Sequence, residues 1–286
     1  MSPWALVLIL VAAVAHASWN LLSKQAAKAD GVVFLWLVAV ASAAIWNPLF
    51  VVFLLVTGTT MTWGTLGVIA ISTTLHIGYF LLLQRGYSHG DLSTVYPVAR
   101  GTGPMLASLV AVLFLGEHPG PAGIAGIALV GVGVFMMSSG GAKADPKGLM
   151  FGLAVGVFIA GYTVWDAQVV SAFAVAPLML SYLGETGRAL ALSPLVLVGP
   201  RRALILPIWR EHRGHVLGAA VLIPLSYLLV LFAFTMAPVS VVAPMREVSV
   251  LIAVVLGGRL LAEGDLRRRM LAAVVILGGV VTIALS

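Results

Sequence analysis

Six ionisable side chains stand inside stretches that are otherwise apolar: Arg100, Asp166, Glu185, Arg188, Arg246 and Glu247. At the centre of a membrane helix each costs about 2.5–3.5 kcal/mol, so no lipid-facing position would retain them. They are expected to face the bundle interior or a wet cavity, and to pair. Glu185 and Arg188, three apart, share one face of a helix and can form a local ion pair. That pair reads either as a packing device or as a proton-carrying element. Arg246 and Glu247 are adjacent and so point about 100° apart, which sends each to a partner on another helix. Arginines at such positions suit an anionic group such as a carboxylate, and carboxylates suit an ammonium group or a coupling proton.

A second set of residues could enclose the apolar body of a ligand. His16, Trp19 and Asn20 lie within five residues of one another, as do Tyr162, Trp165 and Asp166. His76 and Tyr79 share a face, and Tyr96 precedes the run Pro97-Val98-Ala99-Arg100-Gly101-Thr102-Gly103-Pro104. In that run prolines remove donors and glycines permit non-helical backbone, so it is expected to break or bend. Pro244 repeats the device more weakly just before Arg246. Pro97, Gly101, Gly103, Pro104 and Pro244 are therefore expected as hinges, against the plainer alternative of ordinary proline kinks. His16 and His76 stand on different helices without metal-ligand spacing, and neither a metal nor a cofactor is expected.

These residues must be positioned by membrane helices. Apolar residues make up 61% of the 286 and charged residues 9%, whereas a soluble domain carries about 25% charged residues. With about 20 residues per span, ten spans fit, at 3–23, 31–56, 63–84, 91–115, 120–139, 147–171, 176–199, 214–236, 238–258 and 267–285. They leave no room for a soluble domain. Ala15-His16-Ala17 has the form of a signal-peptidase site, but no Lys or Arg precedes it and the apolar run continues, so cleavage is not expected. The chain has no cysteine, which removes disulfides, thiolate metal sites and cysteine nucleophiles. Net charge is +6, yet no basic stripe with interleaved aromatics accompanies it, so nucleic acid is not an expected partner.

Of the 16 Lys and Arg, 13 fall in the connections after spans one, three, five, seven and nine, including Lys24, Lys28, Arg85, Lys143, Lys147, Arg201 and Arg259. The other connections and both tails have none. Positive residues stay on the cytoplasmic side, which predicts external termini and five cytoplasmic odd-numbered connections. The two halves also resemble each other. Trp19 finds Trp165, Pro97 finds Pro244, and Gly116-Glu117 finds Ala262-Glu263, all offset by 146 or 147 residues. Five spans per half is odd, so the copies enter from opposite sides as an inverted repeat, an arrangement that places a solute cavity at the seam. The predicted fold is an all-α membrane protein of ten transmembrane helices in two inverted five-helix repeats. The first is 1–137, the second 147–286, and the turn-rich segment 138–146 is the hinge loop. Gly123, Gly126, Gly133, Ala272, Gly278 and Gly279 mark the fifth and tenth spans as close-packing elements.

Tyr96-Pro97-Val98-Ala99-Arg100 through Leu115-Gly116-Glu117, followed by a glycine-bearing apolar helix, resembles the EamA domain of the drug/metabolite transporter superfamily. The second half, from Ala243-Pro244 through Glu263 to Gly279, is similar, and His16-Ala17-Ser18-Trp19-Asn20 with Lys24 resembles a bacterial branch of that family. The resemblance implies a ten-helix basket with a central cavity, and movement of small metabolites, often outward. Many relatives keep both termini inside; the charges of this chain predict the reverse. The expectation is a gradient-driven secondary transporter of a small polar or amphipathic metabolite, such as an amino acid or organic acid, in a bacterial cytoplasmic membrane. Its partners are the substrate, the lipid bilayer and coupling protons, and it acts as a monomer or weak homodimer. A lipid or lipid-linked-sugar flippase is the alternative. An enzyme is not expected, because HExxH, G-x-S-x-G and cysteine are all missing. No ATP-binding loop is present, so energy must come from a gradient.

Overall fold

A computed structural model of the chain describes residues 2–26, 29–89, 92–138, 146–249, 252 and 266–286. In an apolar medium every backbone N–H and C=O must find its partner within the protein, which favours helices. Among the described residues there are ten α-helices, one 3-10 turn and no strand. The helices are α1 (Pro3–Gln25), α2 (Gly31–Thr57), α3 (Trp63–His89), α4 (Leu92–Phe114) and α5 (Gly120–Ser138) in the first half. The second half has α6 (Pro146–Ser171), α7 (Pro177–Leu197), α8 (Ile205–Phe234), α9 (Val239–Met245) and α10 (Leu266–Leu285). Segments of five helices are long and apolar enough to cross a membrane: Pro3–Ser23, Gly31–Thr57, Trp63–Leu83, Pro146–Ser171 and Pro200–Phe234. Val98–Phe114, Gly120–Met136 and Leu271–Leu285 are shorter apolar helices. Trp4 and Trp63 are largely exposed near helix starts, as interfacial anchors are.

Three local expectations are corrected. α4 is one continuous helix through Gly101, Gly103 and Pro104, not the broken backbone that its composition predicts. The glycines serve packing instead. A Cβ on Gly103 would stand 2.5 Å from Ile159, and one on Gly101 would stand 3.1 Å from Phe135. The break lies in the other copy: α9 ends at Met245, and the bonds from Glu247 N–H to Pro244 O and from Ser249 N–H to Arg246 O reach back only three residues. The eighth span is expected from residue 214, but α8 begins at Ile205 and leaves helical geometry at His212 (φ −117°, ψ 16°). The segment 139–145 of the expected hinge loop lies outside the described residues, as do Lys28, Lys143, Arg259 and Ala262-Glu263. So do the side chains of Lys24, Tyr96 and Pro97.

Several helix pairings follow an exchange of each element with the one five places on. α1 packs on α8 and α3 on α6; α2 packs on α8 and α3 on α7. Each of these pairs becomes the other under that exchange. α2–α7, α4–α9 and α5–α10 are their own images. The α5–α10 seam shows it at residue level. A Cβ on Gly126 would meet Gly279 O at 2.8 Å, and one on Gly133 would meet Ala272 O at 3.0 Å. A 146-residue offset carries Gly126 to Ala272 and Gly133 to Gly279, so the two contacts exchange.

Prolines supply interhelical acceptors. Pro224 has no N–H for the carbonyl of Ala220 one turn earlier, and that carbonyl accepts from Ser42 Oγ (3.0 Å) and Trp46 Nε1 (3.2 Å) of α2. Pro244 likewise frees Ser240 O, which accepts from Ser108 Oγ of α4 at 3.3 Å. At the start of α2, Asp30 accepts from Val32 N (2.9 Å) and Val33 N (3.1 Å) and pairs with Arg201 Nε at 3.1 Å. Partial burial opposes its ionisation, but the Val33 amide and the Arg201 guanidinium outweigh burial and hold its carboxyl below the usual range. Its stabilising effect is complete above the unfolded pKa of about 3.9 and is lost as pH falls through the lowered folded value.

Because α5 and α10 meet through backbone, Gly279→Leu should destabilise the fold by about 1–3 kcal/mol, read as a lowered thermal-unfolding midpoint in detergent. Gly278, whose Cβ position has nothing within 4 Å, should accept leucine with little change. Equal effects at the two positions would show that this seam is not tightly packed.

Candidate functional site

The internal charges form three contacts. On α4, Arg100 Nη2 lies 3.1 Å from Glu247 Oε2 and donates to Ser249 Oγ at 3.2 Å. The Glu247 side chain is 3% exposed and that of Arg100 15%. This pair joins the intact helix of one half to the interrupted helix of the other, at positions 147 residues apart. On α7, Arg188 Nη1 reaches both Glu185 oxygens, at 3.0 and 3.2 Å. On α6, Asp166 is fully buried; it accepts from the Tyr227 hydroxyl of α8, and His76 Nε2 of α3 stands 3.8 Å from the same oxygen. Ser72, one turn before His76, is beside the same carboxylate.

Arg246, on the turn after α9, links these contacts through its field. It acts on Glu247, Asp166, His76, Tyr227 and His16. Arg100 also acts on His16, and Arg188 on His76 and Asp166. The six charges and two imidazoles therefore occupy one electrostatic neighbourhood, although they do not form one contact network.

The aromatic set divides around them. His76 stacks on Tyr162 (4.2 Å between centroids, 27° between planes) and meets Tyr227 edge-on at 5.3 Å; Tyr79 meets Tyr162 edge-on at 5.7 Å. Trp19 Nε1 donates to His16 Nδ1 at 3.3 Å, and Asn20 Nδ2 to His16 O at 2.8 Å. Trp165 turns away from Asp166, donating to Val68 O at 2.9 Å and packing edge-on against Phe173. There it lines a cavity of about 540 Å³ between α3, α4 and α6, with Leu75, Leu106, Val157, Gln168 and Phe173 among the walls. None of the six internal charges lines that cavity. Of the residues expected to enclose a ligand, it takes only Trp165.

The residues match the EamA-like transporter family over positions 3–139. The first half of the chain, residues 3–139, therefore belongs to the EamA-like transporter family. This match indicates a membrane transporter of the drug/metabolite transporter superfamily, with a small-molecule substrate. No curated protein matches this EamA-like chain significantly in sequence. A solved protein crystal structure is similar to it over 100% of this chain and 98% of that one, with a TM-score of 0.81 and 15% identity. The two share a fold.

Three participants in this region lie outside the expected set. Tyr227 sits one residue from the position that the 147-residue offset assigns to Tyr79, so the repeat carried its signal. Ser249 lies one helical turn from Arg246 and has no distinguishing pattern. Glu117, which the sequence marks only as half of the Gly-Glu repeat, holds the start of α9. Its Oε1 and Oε2 accept from the amides of Val239 (2.9 Å) and Ser240 (2.8 Å). It reaches them from a chain reversal made possible by Gly116 at φ +68°. Uncapped helix-start amides cost about 0.5–2 kcal/mol. Glu117→Ala should lose that amount of stability to denaturant in micelles, and Glu117→Gln, which keeps one acceptor, should lose less. If the alanine variant unfolds like wild type, the cap does not set the position of α9.

Proposed function

We propose that this chain is a gradient-driven exporter of a small polar or amphipathic metabolite, such as an amino acid or organic acid, working by alternating access. The Arg100–Glu247 pair is the observation that carries this reading. Residues related by the repeat offset can touch only near the axis that relates the halves, and an ion pair there is broken or remade when the halves rock. Arg246 lies in the next position and Trp19 and His16 lie close by, so a carboxylate-bearing ligand could replace Glu247 as the partner of Arg100. In this reading the chain is a transporter and not an enzyme, in a bacterial cytoplasmic membrane. The termini face outward and the odd-numbered connections inward, following the 13 basic residues. The halves 1–137 and 147–286 move about the 138–146 loop, with the interrupted backbone after Pro244 at the flexing position, and one chain suffices.

The 540 Å³ apolar cavity favours a second reading, a flippase for a lipid or lipid-linked sugar. Val157 and Phe173 in its wall are among the exposed hydrophobic side chains, so the space borders the surface that lipid covers.

Removing one partner of a buried ion pair costs about 3–5 kcal/mol. The informative variant therefore neutralises both, as Arg100→Gln with Glu247→Gln. It should insert and unfold much like wild type yet lose at least about tenfold of its flux in proteoliposomes, equivalent to about 1.4 kcal/mol. The substrate for this assay is the metabolite whose toxicity the wild-type gene relieves in an exporter-deficient host. Wild-type flux in the double variant would overturn the site assignment. Relief confined to lipid-linked compounds, with loss of flux on Val157→Trp, would favour the flippase.

A further inference from the structure

We propose that His76, Asp166 and Tyr227 form a proton-binding site that takes up and releases one proton in each transport cycle, with His76 passing it between the accessible interior and Asp166. This inference rests on the transporter reading above and adds the coupling ion to it.

Among the contacts of the described residues, the carboxylates are not equivalent. Glu247 is held by Arg100 and Glu185 by Arg188, so their charges are matched by groups that do not deprotonate in proteins. Asp166 has no arginine within ion-pair distance among the described residues. Its close neighbours are an imidazole and a phenol, both of which exchange protons. Other ionisable groups around it are Arg188 of α7, Arg246 after α9 and Tyr162 of its own helix; Glu185 and Glu247 are turned to their arginines. On α4, Arg100 is likewise turned to Glu247.

Hydrogen-bond geometry fixes where the proton goes. His76 Nδ1 is 3.0 Å from Ser72 O. A carbonyl only accepts, so Nδ1 carries a hydrogen and Nε2 is the nitrogen left facing Asp166. A bare Nε2 lone pair directed at a bare carboxylate oxygen is repulsive, and the Tyr227 hydroxyl hydrogen is already given to that oxygen. At 3.8 Å the two atoms stand beyond hydrogen-bond distance, and one further proton shared between Nε2 and Oδ2 would draw them together. Transfer breaks the Nε2–H bond of the imidazolium and forms an O–H bond on Asp166, leaving neutral imidazole and neutral acid. The pair has zero net charge on either side of that transfer. Release of the proton leaves one negative charge in a fully buried place, facing Arg246 and Arg188, and so couples proton occupancy to the positions of the helices that carry those arginines.

Access favours a proton over a substrate ammonium as the occupant. Asp166 is 0% exposed while the His76 side chain is 14% exposed. A proton can reach the acid through the imidazole, whereas a primary amine would require the helices to part.

The test needs no substrate. In the purified full-length protein, infrared difference spectra across a pH titration should show a carboxyl C=O band that appears and disappears with one proton. Asp166→Asn should abolish it. The paired neutralisations Glu185→Gln with Arg188→Gln, and Arg100→Gln with Glu247→Gln, which leave no buried charge unmatched, should retain it. His76→Gln and Tyr227→Phe should each move its midpoint by about one pH unit or more. If Asp166→Asn does not fold, the shifts in those two variants decide the matter. A band that survives Asp166→Asn, or a midpoint that neither His76→Gln nor Tyr227→Phe moves, overturns the proposal. Because the reading uses no flux, its failure would leave the transport assignment standing, and failure of the Arg100/Glu247 flux test would leave the proton site standing.

Discussion

The fold depends on one electrostatic requirement: Glu247, almost wholly removed from solvent, must have a cation beside it. Arg100 is that cation, and it stands on the other half of the molecule. An unmatched carboxylate there would be among the costliest features in the chain, so the pair fixes the depth at which α4 and the interrupted ninth helix face each other. Around it the remaining charges are arranged by reach. Arg246 touches the fields of two imidazoles, two carboxylates and a phenol. No single contact network is needed for these groups to respond to one another.

The second requirement is to satisfy backbone groups in a low-dielectric surround. Three breaks in regularity each acquire a partner from elsewhere. The carbonyl that Pro224 leaves open takes two donors from α2; the one that Pro244 leaves open takes the Ser108 hydroxyl; the first amides of α9 take the Glu117 carboxylate. Each repair also cross-links two helices. Proline in this protein therefore strengthens particular interhelical joints while weakening one helix.

Much of this was legible in the sequence, for identifiable reasons. The six internal charges stand out because apolar surroundings make them conspicuous, and the adjacency of Arg246 and Glu247 sends each to a partner on another helix. The Glu185–Arg188 pairing followed from helical spacing, and the close seam of α5 and α10 from small residues. The Pro97–Pro104 run misled because helix-breaking composition is also the composition of close packing: Gly103 lies where Ile159 leaves no room for a Cβ. Trp165 misled differently. It neighbours Asp166 in sequence, but adjacent helical residues diverge by about 100°, and its ring belongs to the apolar cavity. The partnership of Tyr227 with Asp166 depends on how α6 and α8 are rotated, which periodicity alone does not specify.

The seam at Gly126, Gly133, Ala272 and Gly279 has an implication for descent. Its two contacts interconvert when the halves are swapped, the property of an isologous interface between identical subunits. Two separate copies of a single five-helix polypeptide could close such an interface without any linker. Fusion into one chain would then have freed each copy to diverge, so that one gained the arginine and the other the glutamate that now sit face to face.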